Sequence, residues 1–181
     1  MTPAKNNYLF STERLGFKLW ENHDLEPFTA MNSDSETMKF FAGLMDKEAS
    51  EKKMIQMNKM YKDHGYCYFC VNLLSTNEFV GIIGLGYKDF QTDFTPCTDI
   101  GWRIRRDFWN QGLSTEGAQA CLDYGKSLGL NEIVSMASPN NHASIRVMEK
   151  IGMQYWKHFD HPELSESPHL NPMVLYRIKF P

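Results

Sequence analysis

No uninterrupted apolar run of about 18 or more residues occurs, so no segment is long enough to span a bilayer as a helix. Residues 1–7 carry no apolar stretch of the kind that opens a secreted chain, and neither export nor membrane insertion is expected. A basic excess is missing too: 19 Lys and Arg stand against 22 Asp and Glu, a formal net charge of -3. Covering the phosphates of a nucleic acid needs a clear surplus of positive charge, so general nucleic-acid binding is excluded and any anion site must be local. Cysteine is scarce. Cys67, Cys70, Cys97 and Cys121 are too few and too scattered for a disulfide framework and read as reduced thiols, with a cytoplasmic setting expected. Cys67 and Cys70 form a C-x-x-C, but in a segment that reads as a strand, where residues three apart point to opposite faces; zinc or redox use is not expected. Repeats and low-complexity linkers are also lacking. What remains is 181 residues, 42% hydrophobic and 23% charged, enough for one domain, 1–181, with a full core.

Apolar spacing divides this domain into elements. Residues 9–20 read as a first strand, then 24–31 and 33–41 as short helices. A longer helix spans 50–64, entered through Ser50 and Glu51, with Met54 and Met57 serving packing rather than a cofactor. Residues 66–74 and 78–87 make a hairpin across Ser75-Thr76-Asn77, residue types that fold back on their own backbone. A strand at 98–104 follows. A helix at 113–127, a strand at 131–137, a helix at 141–151 and strands at 153–159 and 173–180 complete the chain. Strand, helix, strand in the second half implies a local parallel pairing, whereas the first half is antiparallel.

The densest signal is 99–117, DIGWRIRRDFWNQGLSTEG. Ile100, Trp102 and Ile104 alternate with Asp99, Gly101 and Arg103 as in a strand, a turn centres on Gly112, and Ala118, Cys121, Leu122 and Gly125 recur at helical spacing. A strand feeding a tight turn and then a helix aims free backbone N–H groups and the positive end of the helix dipole at one point, which suits a pyrophosphate.

These residues carry a resemblance. Thr12-Glu13-Arg14-Leu15, Asp99-Ile100-Gly101-Trp102, the loop Trp109-Asn110-Gln111-Gly112-Leu113-Ser114-Thr115-Glu116, and Asn141-His142-Ala143-Ser144 with Glu149-Lys150-Ile151-Gly152-Met153 occur in the order and spacing of the GNAT superfamily of acyl-CoA-dependent N-acetyltransferases. The branch they resemble includes the ribosomal-protein-alanine N-acetyltransferases. The resemblance implies a mixed α/β fold, with a mostly antiparallel sheet of six to seven strands splayed at the acyl-CoA site and helices on both faces. It implies acetyl-CoA as co-substrate, no metal, and an amine acceptor, either a protein N-terminus or a small molecule, on a monomer or homodimer. A non-catalytic acyl-CoA-binding module is the rival reading. The loop departs from the family pattern at Asn110 and Ser114, in place of a glycine and an alanine, but Asn tolerates left-handed backbone and Ser is small.

By the same resemblance, coenzyme A is held by Trp102, Arg103 and Ile104, whose strand edge would pair with the pantetheine amides, and by Trp109, Asn110, Gln111, Gly112, Leu113, Ser114 and Thr115 of the loop. Arg103, Arg105 and Arg106 either screen its phosphates or form a solvated charge cluster. Relatives protonate the departing thiolate with a tyrosine where this chain has Met148, which cannot. Ser144, sharing a helical face with Val147, Met148 and Ile151, is the substitute, or else it bonds backbone in the first turn. Asn141 is a helix cap, a coenzyme A ligand or both. Asp99 is read as a structural partner of Arg14 or Arg103. His158, Asp160, His161 and His169 fit no metal signature; the Asp160-His161-Pro162 turn and the segment toward Leu175, Tyr176 and Arg177 are expected on the acceptor side. Trp20, Phe40, Phe41 and Tyr87 belong either to the core or to a closed aromatic pocket.

Overall fold

Successive hairpins build the first part of a single sheet. In the computed structural model, which describes residues 8–181, five strands follow one another antiparallel: β1 (Phe10–Ser11), β2 (Leu15–Lys18), β3 (Tyr68–Leu73), β4 (Phe79–Lys88) and β5 (Cys97–Ile104). β6 (Glu132–Ala137) joins β5 in parallel, and β8 (Met173–Lys179) lies antiparallel between β6 and β7 (Gln154–Phe159). The sheet order is β1-β2-β3-β4-β5-β6-β8-β7, so the mixed, mostly antiparallel sheet expected from the sequence has eight strands rather than six or seven. Residues 1–7, read above for an export signal, lie outside the described residues.

Two expectations for the N-terminal half are corrected. Residues 9–20 are not one strand: Thr12 Oγ1 accepts from the Leu15 N–H at 2.9 Å and donates to Glu116 at 2.5 Å, closing a turn that splits the segment into β1 and β2. Of residues 33–41, Ser33 ends the first helix and the rest form turns rather than a second helix, because the Asp34 carboxylate takes both the Thr37 N–H (3.1 Å) and its hydroxyl (2.6 Å).

Helices cover both faces of the sheet. α3 (Leu113–Ser127) buries a stripe of Leu113, Gly117, Ala118, Cys121, Leu122 and Gly125 on one face. Gly117 sits so close to the sheet that a Cβ there would collide with Ile83 Cδ1, so glycine lets α3 approach without displacing that side chain. α4 (His142–Lys150) lies beside α3 on β6. The opposite face takes α1 (Leu25–Ser33) and α2 (Lys47–His64), joined to each other where Asn32 Nδ2 donates to Ser50 Oγ at 2.9 Å. α2 begins earlier than the 50–64 pattern indicates: its cap is Asp46, whose carboxylate accepts the Ala49 N–H at 2.8 Å, and Ser50 is buried one turn inside. Under α3, Phe10 stacks between Phe17 and Tyr124 at centroid distances of 4.4 and 4.7 Å, with Phe69 edge-on. Burying rings such as Phe17 and Phe69 contributes about 1.5–3 kcal/mol each.

Candidate active site

The sheet opens between β5 and β6. They share one register pair, Asp99 with Val134, and at the parting point Ser135 Oγ donates to the Ile100 carbonyl at 2.9 Å. Along a strand alternate residues turn their backbone groups the same way, so Trp102 and Ile104 present theirs to the gap that Ile100 faces. The Ile104 carbonyl accepts from Trp109 Nε1 at 2.7 Å, which leaves Trp102 to offer its N–H and C=O.

Beyond β5 the chain turns through Trp109 and Gln111 into α3. Asn110 (φ 59°) and Gly112 (φ 76°) both take left-handed backbone, the conformation that makes so tight an entry possible and that side chains larger than Asn disfavour. α3 differs from α2 and α4 at its start. Asp46 caps α2, and Asn141 Oδ1 caps α4 by accepting the Ser144 N–H at 3.2 Å, but Gly112 offers α3 no side chain. The first amides of α3 have no acceptor within the helix. Gly112, Leu113, Ser114 and Thr115 line a cleft of about 520 Å³ that also takes in Trp102, Arg103, Ile104, Trp109 and Asn110. Uncapped amides and the helix dipole give this end of the cleft a partial positive charge.

The loop is held from behind by Arg14. Its Nη1 donates to the Gln111 carbonyl at 3.0 Å, and its Nε and Nη2 both lie 2.6 Å from Glu116 Oε2. Burial would raise the Glu116 carboxyl, but the hydrogen bonds from Thr12 and Arg14 outweigh it and hold the group below its ordinary value. The sequence offers Arg14 as part of a motif and as a candidate partner of Asp99; its grip on the loop depends instead on Glu116, 102 residues away.

α4 forms a second wall through Asn141, Ala143, Ser144, Arg146, Val147 and Lys150. Arg146 is not among the residues the sequence marks and Lys150 appears there only within a motif, although Arg146 follows Ala143 by three and Lys150 follows Arg146 by four, which carries them to the same side. Met148 is buried, turned into the core. The third wall is the turn region after α1, with Thr37, Lys39, Phe40 and Phe41. The four aromatics therefore divide: Phe40 and Phe41 line the cleft, Trp20 is in the core donating to the Tyr68 carbonyl at 2.8 Å, and Tyr87 stacks on His64 at 4.5 Å.

Several expected residues are placed elsewhere. Arg105 is tied to Glu78 (3.2 Å), Asp107 (2.8 Å) and the Phe79 carbonyl, Arg106 faces Asp34 at 3.8 Å, and Gln111 Nε2 donates to the Asp107 carbonyl, so none of these side chains lines the cleft. Arg103 lines it, but from the α1 face of the sheet, where its guanidinium donates to Asn32 Oδ1 and lies over Phe41. Asp99 pairs with neither Arg14 nor Arg103. It accepts from the Tyr68 hydroxyl at 2.5 Å and lies 3.9 Å from Lys88 Nζ; burial pushes its carboxyl up, against the Lys88 charge. His158 bonds Tyr155, and His161 Nδ1 accepts the Glu163 N–H at 3.2 Å. Among the described residues the one cluster with metal-ligand proximity, Glu21, His23 and Asp24, surrounds the Lys18 ammonium, 2.6 Å from Asp24. Leu175 and Tyr176 are buried in β8, and Arg177 lies over Trp156. All four cysteines are free, and no helix among the described residues could cross a membrane.

Comparison with known proteins bears on this geometry. Residues 14–154 match the family model described as an acetyltransferase (GNAT) domain. An N-acetyltransferase of Bacillus subtilis, YnaD, is 32% identical over 145 residues, covering 80% of this chain and 81% of its own. A GNAT-family acetyltransferase structure from Bacillus anthracis superposes with a TM-score of 0.75 at 31% identity, covering 93% of this chain and 96% of the other. RimL, a ribosomal L7/L12 alpha-N-protein acetyltransferase solved in complex with coenzyme A, shares the fold with a TM-score of 0.73 at 13% identity, over 96% and 98% of the two chains. With its open sheet gap, its glycine-entered helix and a family match over most of its length, this chain belongs to the GNAT family of acetyltransferases.

Proposed function

We propose that this enzyme moves an acetyl group from acetyl-CoA to a primary amine by direct transfer in a ternary complex. The observation that carries the proposal is the uncapped N-terminus of α3 opening into a cleft that continues to the gap beside Trp102. A pyrophosphate fits there: the amides from Leu113 to Thr115 and the left-handed Asn110 and Gly112 allow close approach of phosphate oxygens. Arg146 and Lys150 add cations on the facing wall. Trp102 offers a strand edge to the amides of the pantetheine arm.

When bound, acetyl-CoA supplies a thioester carbonyl open to a neutral amine. The residues then have three tasks: to hold the amine deprotonated, to orient it, and to furnish a proton to the leaving sulfur. Ser144 lines the cleft on the first turn of α4 and is the proton donor we assign. Asn141 has its Oδ1 occupied by the helix cap, leaving its Nδ2 to meet the cofactor. Buried Met148 in place of the family tyrosine keeps the non-catalytic acyl-CoA-binding module as the second reading. We place the reaction in the cytoplasm, in keeping with four free thiols.

Calorimetry with acetyl-CoA tests the site. A stoichiometric complex is expected, weakened at least tenfold by Gly112→Val, because a β-branched residue at φ 76° is strained and crowds the phosphates. No binding at millimolar ligand refutes the proposal, and binding without turnover on any amine leaves the module.

A further inference from the structure

Arg103 is a buried cation with no carboxylate partner among the described residues. Its side chain lies in the 9% exposed residue that β5 turns toward α1 and α2. Of its five N–H donors, one meets Asn32 Oδ1, a neutral acceptor already committed on its amide side to Ser50, and Nε is buried with no partner among the described residues. Burial lowers the guanidinium to about 10, still charged at neutral pH. A second cation, Lys53 of α2, is half-buried and makes no ion pair among the described residues, but it does not line the cleft. Burial pushes its ammonium down, as do the charges of Lys88 and Arg103, with Asp99 and Glu163 opposing. Lys88 is already answered by Asp99. Arg103 thus brings to its side of the cleft a desolvated positive charge with donors to spare.

Desolvating a guanidinium is costly unless a charge or a full set of acceptors compensates it. The described residues supply one neutral oxygen, which leaves a place for a partner that arrives with a ligand. Arg103 lies on the face of the sheet opposite α3, whose amides serve the pyrophosphate, and Phe41 covers its plane. An anion here belongs to the acceptor rather than to coenzyme A.

Resting on the acetyltransferase reading above, we infer that the acceptor is a small amine that carries its own carboxylate, which Arg103 binds through its free donors. A planar guanidinium matches a carboxylate by paired hydrogen bonds, and a neutral or polycationic amine would leave the charge unanswered. Polyamines and aminoglycosides are therefore poor acceptors for this cleft.

The test is a panel of matched amines: amino acids with the amino group at different distances from the carboxylate, each beside its decarboxylated and its amidated counterpart. Short peptides with Asp or Glu near the N-terminus, beside their Asn or Gln forms, are a separate arm. In the wild-type enzyme the carboxylated free amines are expected to show kcat/KM about tenfold to a hundredfold above their counterparts, mostly through KM. Arg103→Met should erase that preference and Arg103→Lys restore part of it, while affinity for acetyl-CoA changes less than about twofold. Equal or better use of the neutral amines, preference confined to the peptide arm, or a preference that survives Arg103→Met each overturns the inference. Loss of acetyl-CoA binding in a folded Arg103→Met overturns it too, by moving Arg103 to the cofactor. If Arg103→Met does not fold, Arg103→Lys and the wild-type panel decide. Failure of the wild-type enzyme to bind acetyl-CoA is a different result and refutes the acetyltransferase reading itself.

Discussion

The Tyr68 hydroxyl reaches Asp99 Oδ1 at 2.5 Å because Gly86, opposite Asp99 in the β4–β5 ladder, has no side chain. A Cβ on Gly86 would stand 2.6 Å from the Tyr68 hydroxyl and 2.7 Å from Asp99 Oδ1, too near for either to stay. Gly86→Ala should therefore destabilise the protein by about 1–3 kcal/mol through forced displacement of the pair. Tyr68→Phe, which leaves a buried carboxylate one donor short, should cost a similar ~1–3 kcal/mol. Urea denaturation measures both, and a loss within experimental error for either would mean that the cluster relaxes freely.

Arg14 and Glu116 should control cofactor affinity from outside the cleft. Arg14→Ala removes the donor to the Gln111 carbonyl and the paired bonds to Glu116, so the loop that presents Asn110 and Gly112 loses its backing. The Arg14 side chain is 45% exposed, and little global stability rides on it. Acetyl-CoA affinity should fall about tenfold, in line with one or two lost charge-assisted hydrogen bonds, while the melting temperature moves by only a few degrees. An unchanged dissociation constant for Arg14→Ala would show that the loop needs no brace.

His161 should give stability a pH dependence in the acid range. Burial, the largest influence, lowers its imidazole below the ordinary 6.5, with Glu163 opposing. In the window between the folded value and 6.5 the unfolded chain binds more protons than the folded one, so stability rises with pH across that window. The contribution is fully present above about 6.5 and is lost as pH falls below it. Protonation at Nδ1 would also forfeit the acceptor that takes the Glu163 N–H. His161→Asn keeps an acceptor for the turn but cannot titrate. Thermal melts from pH 5 to 8 should show a shallower acid slope for this variant than for the wild type; equal slopes would assign the effect to other groups.

The elements most easily read from the sequence owe their shape to their own residues. The hairpin at 66–87 turns where Asn77 takes φ 61°, as its residue type allows, and α3 and α4 follow their apolar spacing almost to the residue. The loop at Trp109–Thr115 was legible for the same reason, since Asn, Gly and the helix that follows are local facts. What was not legible depends on distant partners. The break between β1 and β2 exists because Thr12 meets Glu116, 104 positions along the chain. Strand alternation places Asp99 and Arg103 on one face, but only the packing of α1 beside β5 gives Arg103 to Asn32 and leaves Asp99 to Tyr68 and Lys88. Arg105 and Arg106, equally basic and equally near the loop, are drawn off by Glu78, Asp107 and Asp34. Charge near a site in sequence does not locate charge in the site.

Ser144 and Asn141 are neighbours on α4 whose roles kinetics can separate. Ser144 lines the cleft, and its N–H is taken by Asn141 Oδ1 at 3.2 Å, so removing the hydroxyl leaves the cap intact. If the hydroxyl supplies the proton to the leaving sulfur, Ser144→Ala should lower kcat by roughly tenfold to a thousandfold with little change in acetyl-CoA affinity. Asn141→Ala removes the cap and the free amide together; it should cost about 1 kcal/mol of stability and weaken acetyl-CoA binding as well. Asn141→Asp isolates the second effect, since a carboxylate still accepts the Ser144 N–H but cannot donate and repels phosphate. Stability near wild type with weakened binding is the outcome expected for Asn141→Asp. Binding as tight as wild type would confine Asn141 to the cap. Full turnover by Ser144→Ala would take the proton from solvent or from the attacking amine, and it would leave the cleft and its cofactor in place without a side-chain acid.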